Sequence, residues 1–408
     1  MEVVKETQEA ENLLSPIQKS KLLYRNFPLK DFRGALPGKE TINDLIYIAN
    51  DNILLLACFK KIFEYSLTSK TITKTIQAHD TNVSALVEIP NQYLIVSGGY
   101  DGALILWEQN RWKIRREYNW GGWIYNLMAL PNDGAVGFIA GHKDNRFDCI
   151  FGVWNYNFGE IVIKVYVDIP GNYLVSKYCW LDQGKEMIMA DKYNDLHHIV
   201  VRSGKTTHLR IGTVDNPVTQ ISAICAYEVT KQRPGPLKDL ANLIQDLQLQ
   251  GTIQQPEDNK ILLFIGGYKG TMVALRTNRK FEEFVELERR EIGDKAINHI
   301  ELLKPTEKDK LLFVRSGEMC FLFDMDFTMI HSFNLSVGSR VTKENIYLGV
   351  DEKLLFFTSS KGDIITYKME NLIKYFLLKL MVLKSNEYHP YIYVEVFNML
   401  FSNDNINV

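Results

Sequence analysis

The residues of this chain that could do chemistry are scattered, and the arrangements that would make them reactive are missing. There is no nucleophile elbow, P-loop, His-Glu-x-x-His or paired Cys-x-x-Cys. His197 and His198 are adjacent. On a strand their rings point to opposite faces and cannot chelate one metal together, so the pair reads as a core histidine beside an exposed one. Gly98-Gly99 and Gly266-Gly267 do not open a helix. They lack the N–H cradle that holds a phosphate and read as tight turns. Asp324 and Asp326 stand at a strand end, in a solvated turn. The five cysteines, Cys58, Cys149, Cys179, Cys225 and Cys320, sit in apolar runs without pairing motifs. That is the pattern of small buried hydrophobes in a reducing compartment. No catalytic set, metal site or cofactor site is expected.

Aromatic residues are more suggestive. All six tryptophans lie between positions 107 and 180. Trp107, Trp154 and Trp180 fall in strand-like runs and are expected in the core. Trp120 and Trp123 bracket Gly121-Gly122 in a connection, where aromatic side chains can anchor a partner.

The elements that must position these residues repeat. Ser97 to Trp107 (SGGYDGALILW) finds a second copy at 266–275 (GGYKGTMVAL) and a third at 359–367 (SSKGDIITY). Weaker copies are ACFKKIFEY at 57–65, FDCIFGVW at 147–154, DLHHIVV at 195–201 and RSGEMCFLF at 315–323. A second motif precedes them: VSALVEIPN at 83–91, IYNLMALPN at 124–132 and INHIELLKP at 297–305. With residues 229–257 set aside as an insertion, the spacing is roughly 45 residues, the length of a four-stranded propeller blade. Seven anchors predict an all-β, seven-bladed β-propeller. The second repeat predicts strands over Val83–Ile89, Tyr93–Ser97, Ala103–Glu108 and Trp112–Tyr118.

Helix signal is confined to the first twenty or so residues, to 236–249 and to 370–383. Within the insertion, Leu237, Leu240, Ala241, Ile244 and Leu247 make an apolar stripe at helical spacing opposite Lys238, Asp239, Asn242 and Gln245. The expected organisation is an extension over 1–40, a propeller over 41–370 with its helical insertion, and a segment over 371–408 that completes the last blade as strand or helix. The outer strand of the last blade is expected from the N-terminal segment around Leu22 to Phe27, with residues 372–400 as the alternative source. The insertion joins the first strand of the fifth repeat to its second.

Composition agrees with a globular chain: 46% hydrophobic and 24% charged, with 47 basic against 49 acidic residues. The net charge of -2 argues against a dedicated nucleic-acid binder. The N-terminus is acidic where a signal peptide would be basic and apolar, and no stretch is long and uncharged enough for a membrane span. A soluble, cytoplasmic protein is expected.

The repeats resemble those of the WD-repeat (WD40) propeller family, which carries a Gly-His pair, a second-strand Ser, an Asp in the following turn and Trp-Asp closing the third strand. The second repeat comes closest, with Ala78-His79, Ser97, Asp101 and Trp107-Glu108. The third keeps the spacing from Asp148 to Trp154. Lys269 and Lys361 replace the Asp, and Leu275 and Tyr367 the Trp. The resemblance implies that His79, Ser97, Asp101 and Trp107 form a structural hydrogen-bonded network, with Asp148 and Trp154 its counterparts. It also places Tyr100, Trp120, Trp123, Arg146, Phe147, Tyr268, Lys269 and Lys361 on one face, as candidate partner-binding residues, and the insertion on the opposite face.

A scaffold or adaptor is therefore expected, binding a protein or peptide partner that is acidic or phosphorylated. The alternatives are a structural subunit of a cytoskeletal, ciliary or trafficking assembly, and an enzyme using the central channel. Repeat-equivalent Asp101, Lys269 and Lys361 share no chemistry, which counts against the enzyme.

Overall fold

In a computed structural model, the described residues are 30–35, 40–89, 92–130, 134–141, 149–167, 178–181, 185–190, 195–201, 203–209, 221–229, 260–303, 310–325, 327, 329–335, 341–348 and 353–368. They form an all-β, seven-bladed β-propeller of four-stranded antiparallel sheets. Arg146, Phe147, Asp148, the 236–249 stripe, Leu22 to Phe27 and residues 371–408 lie outside the described residues.

The first blade comprises Asp44–Ile48, Ile53–Cys58, Lys61–Ser66 and Thr71–Gln77. The second comprises Val83–Ile89, Leu94–Gly99, Ala103–Glu108 and Lys113–Asn119, and the third Ile124–Ala129, Ala135–Gly141, Cys149–Asn155 and Glu160–Val167. The fourth to sixth follow the same plan from Tyr178–Leu181, Ile221–Val229 and Ile297–Leu303. The last sheet orders Lys30–Ala35, Asp363–Lys368, Lys353–Ser359 and Val341–Leu348 from one edge to the other. The chain divides into two compact units, the larger comprising 35–345 and 358–363. All side-chain geometry below belongs to that larger unit.

Burial follows strand order. The second strands ILLLAC, LIVSGG, AVGFIAG and LLFVRS are buried at every position, because blades cover both of their faces. The fourth strands TITKTIQ and KIRREYN are exposed at most positions and buried at none, and their Lys, Arg and Thr side chains suit a wet edge. Apolar slabs fill the spaces between blades. Leu55, Ile62, Ile95 and Trp107 join the first blade to the second, and Val96, Leu106, Phe138 and Trp154 the second to the third.

Register irregularities recur at equivalent places. First strands shift between Val83 and Ala85, Ile124 and Asn126, Ile221 and Ala223, and Ile297 and His299. Third strands shift just before Tyr65, Trp107, Trp154, Leu275 and Phe323. These are the closing residues of five sequence copies, so the repeat is a repeat of backbone geometry as well as of residue type.

The double glycines correct a sequence expectation. Gly98 and Gly266 are strand residues, and only Gly99 and Gly267 enter the following turns. A Cβ on Gly98 would lie 2.5 Å from Ile124 Cγ2, and one on Gly266 would lie 2.6 Å from Ile297 Cγ2. Glycine at these two positions lets the first residue of the next blade close up against the second strand.

Candidate functional site

The turn between the second and third strands and the connection to the next blade leave a blade at the same end. The second blade gathers a polar chain there. The indole of Trp107 donates to Ser97 Oγ at 2.8 Å, and Ser97 Oγ is 2.8 Å from His79 Nε2. His79 Nδ1 lies 3.0 Å from Asp101 Oδ1. Asp101 also accepts the backbone N–H of Asp80 at 2.9 Å and of Ala103 at 3.1 Å. One direction satisfies every group: Trp107 donates to Ser97, Ser97 to His79 Nε2, and His79 Nδ1–H to the carboxylate. Burial holds the His79 pKa below 6.5, against the opposing pull of Asp101, so the ring is neutral. Burial alone would raise the Asp101 carboxyl. The His79 ring and the two N–H donors outweigh it and keep the pKa below 3.8.

Gly99 makes room for this chain, since a Cβ there would sit 2.5 Å from both His79 Nδ1 and Asp101 Oδ1. Ser, His and Asp stand in the order of a hydrolytic triad, but Ser97 is fully buried. Its oxygen already accepts an indole N–H, leaving no approach for an acyl carbon. What the chain does is tie the second and third strands to the turn and to the segment arriving from the first blade.

The third blade treats the equivalent positions differently. Trp154 pairs with Val136 as Trp107 pairs with Ile95, which puts Phe138 in the place of Ser97. Trp120 stands four residues before Ile124, as His79 does before Val83. Its N–H reaches Gly102 O at 2.8 Å, as that of His79 reaches Lys60 O at 3.2 Å. Trp120 packs on Phe138 with ring centroids 5.8 Å apart, and its indole donates to Gly141 O at 2.8 Å. Only 8% of Trp120 is exposed. Its expected place among the partner-binding residues is therefore corrected: it is a core side chain held between two blades. The Trp154 indole N–H is buried without a hydrogen-bond partner among the described residues.

Trp123, three residues on, is half-buried beside the exposed Tyr100. Their ring centroids are 5.3 Å apart. Tyr125 completes a cluster, 6.2 Å from Tyr100 and 6.4 Å from Trp123. Sequence reasoning missed Tyr125, although it stands one residue into its strand, at the bulge position that Ser84 and Ser222 occupy in theirs. Tyr268 and Lys269 occupy the turn of the fifth blade equivalent to Tyr100-Asp101, and Lys361 that of the last blade. Both lysines are exposed. Among the described residues of that set, Tyr100 and Trp123 are in ring contact, and Tyr268, Lys269 and Lys361 stand in the turns of other blades.

No protein-family model matches the chain, and no curated protein sequence matches it. The site is therefore read from its own geometry.

A rail of inward side chains was also missed. Asn43 Nδ2 donates to Val83 O at 2.9 Å, Ser84 Oγ to Ile124 O at 2.6 Å, and Ser222 Oγ to Ile297 O at 2.7 Å. Each reaches the carbonyl of the next blade's first-strand bulge. Comparing VSAL at 83–86 with ISAI at 221–224 gives the sequence signal. Farther out, buried Glu64 of the first blade accepts from Thr73 Oγ1 at 2.7 Å, from Lys74 Nζ at 3.1 Å and from Trp112 Nε1 of the second blade at 3.0 Å.

His197 and His198 are both half-buried, so neither is a core residue. His198 meets Glu186 at 2.9 Å, while His197 lies against His208 with centroids 5.2 Å apart. Among the described residues no group of three or more His, Cys, Asp or Glu could hold a metal ion, and no helix is long and apolar enough to cross a membrane. Val229 pairs with Lys260, and Ile221 with Gly267. The insertion therefore leaves the fifth blade at the end opposite Tyr268.

Proposed function

We propose that the chain is a propeller of the WD-repeat type that acts as a protein-binding scaffold in the cytoplasm and not as an enzyme. The observation that carries this reading is the cluster of Tyr100, Trp123 and Tyr125, aromatic side chains held at a blade junction by a rigid backbone with Tyr100 38% exposed. Aromatic side chains supply large contact area at low entropic cost, and the junction beneath them is already fixed by Ser84 and Trp120. A protein or peptide segment docks there by an apolar anchor, and acidic or phosphorylated groups on the partner meet Lys269 and Lys361 in the turns of other blades. The buried Cys58, Cys225 and Cys320, none of them in a disulfide, support a reducing compartment.

Site-specific photo-crosslinking tests this. A benzophenone side chain at position 100 should capture a discrete partner in cells, and one at exposed position 74, on the outer strand of the first blade, should not. Equal capture at both, or none at 100, removes the cluster from the interface.

A further inference from the structure

The flank where the second and third blades meet carries a second surface, at the opposite end of the blades from Tyr100. The outer strand of the second blade and the turn before it present Arg111, Lys113, Arg115 and Arg116, all exposed. None of the four has an ion pair among the described residues. Glu117 is the one acid within this strand, and Glu108 faces Lys113 across the ladder. Register slips opposite Arg115, since Trp107 pairs with Ile114 and Leu106 with Arg116. Tyr118 packs toward Trp154 of the third blade, so Arg116, two residues earlier, faces the same way. Its guanidinium lies against Gly159: a Cβ on that glycine would meet Arg116 Nη1 at 2.6 Å.

Gly159 closes the tight turn after Tyr156, and at the tip of that turn Phe158 is 74% exposed. The buried Tyr156 hydroxyl lies 3.5 Å from Gln92 Oε1, which ties this turn to that of the second blade bearing Tyr93, itself 54% exposed. Basic residues alone would be explained as protection of a sheet edge against aggregation. An exposed phenylalanine and tyrosine in the adjoining turns work against such protection. Arginine with aromatic residues is instead the composition of a binding hot spot.

We propose that this flank binds an acidic protein segment carrying an apolar side chain, its carboxylates pairing with Arg115 and Arg116 and its apolar group resting on Phe158. Unpaired guanidinium groups select carboxylates by charge and by their forked donors. The open strand edge beside them offers backbone groups to an extended segment.

Fluorescence anisotropy with a fluorescein-labelled dodecapeptide rich in Asp and Glu, with one Leu and one Phe, provides the test. Saturable binding is expected, and it should weaken with salt. The double variant Arg115→Glu/Arg116→Glu should lower affinity by about tenfold or more, and Phe158→Ala by about fivefold. A charge reversal of equal size elsewhere, Lys205→Glu/Lys280→Glu, should leave affinity within about twofold. All replaced side chains are exposed, but Arg116 also lies against Gly159, so unchanged melting temperatures are checked first, and Arg115→Glu alone repeats the test if the double variant unfolds. Absence of saturable binding, or equal affinity for wild type and the Arg115/Arg116 variants, overturns the proposal.

Discussion

The second and third blades solve one structural problem in two ways. His79 meets Ser97 through a hydrogen bond of 2.8 Å. At the equivalent positions Trp120 meets Phe138 through ring packing at 5.8 Å. The polar version satisfies the third-strand tryptophan, Trp107. The aromatic version leaves the N–H of Trp154 without a partner among the described residues. In these two blades the position ahead of the first strand is filled and anchored, by a polar chemistry in one and an aromatic chemistry in the other.

The strongest way to break this comparison is to empty the aromatic version. Trp120→Ala should cost about 3–5 kcal/mol, the usual loss for a buried tryptophan, measured by urea unfolding. A loss below about 1 kcal/mol would return Trp120 to the surface. Cutting the polar version should cost less: Asp101→Ala is expected to lose about 1–3 kcal/mol, since His79 Nδ1 and two backbone N–H groups are left unsatisfied.

The two tryptophans sharpen the contrast. Replacing either by Phe leaves a similar gap, but only Trp107→Phe also removes a hydrogen bond. It should therefore cost about 1 kcal/mol more than Trp154→Phe, and equal costs would show that the Ser97 bond contributes nothing net.

The smallest effect is on pH dependence. The folded state holds His79 below its ordinary 6.5, so the unfolded chain takes up the proton first. Stability from this residue is complete above pH 6.5 and declines as pH falls below it. Asp101 acts in the same direction in a lower window, beneath 3.8. Chemical denaturation between pH 7.5 and 5.5 should show the decline in wild type and a flatter profile in His79→Gln.

The parts of this molecule written in local pattern were legible in its sequence. Five of the seven repeat copies, those at 57–65, 97–107, 266–275, 315–323 and 359–367, fall on a second-to-third-strand corner, and those at 147–154 and 195–201 carry their third strands, because a run buried on both faces followed by a tight turn is visible in residue order alone. The four strands of the second repeat lie within a residue or two of their predicted bounds. Residues whose environment comes from another blade were not legible. Trp120 and Trp123 flank the same glycine pair, yet Phe138 buries the first and the Tyr100 turn leaves the second at the surface. Glu64 gave no signal, because its donor Trp112 stands on a different blade. Asn43, Ser84 and Ser222 act on carbonyls whose positions only the assembled blades define.

That pair of tryptophans gives the most direct test of the scaffold reading. Wild type, Trp120→Phe and Trp123→Ala, each with its melting temperature measured, are used to recover the native complex by affinity purification. Trp123→Ala is predicted to melt as wild type does and to lose its partners, with an affinity cost of about 2 kcal/mol. Trp120→Phe is predicted to melt lower and, while folded, to retain them. Full partner recovery by a folded Trp123→Ala protein, together with loss by a folded Trp120→Phe protein, would contradict the account.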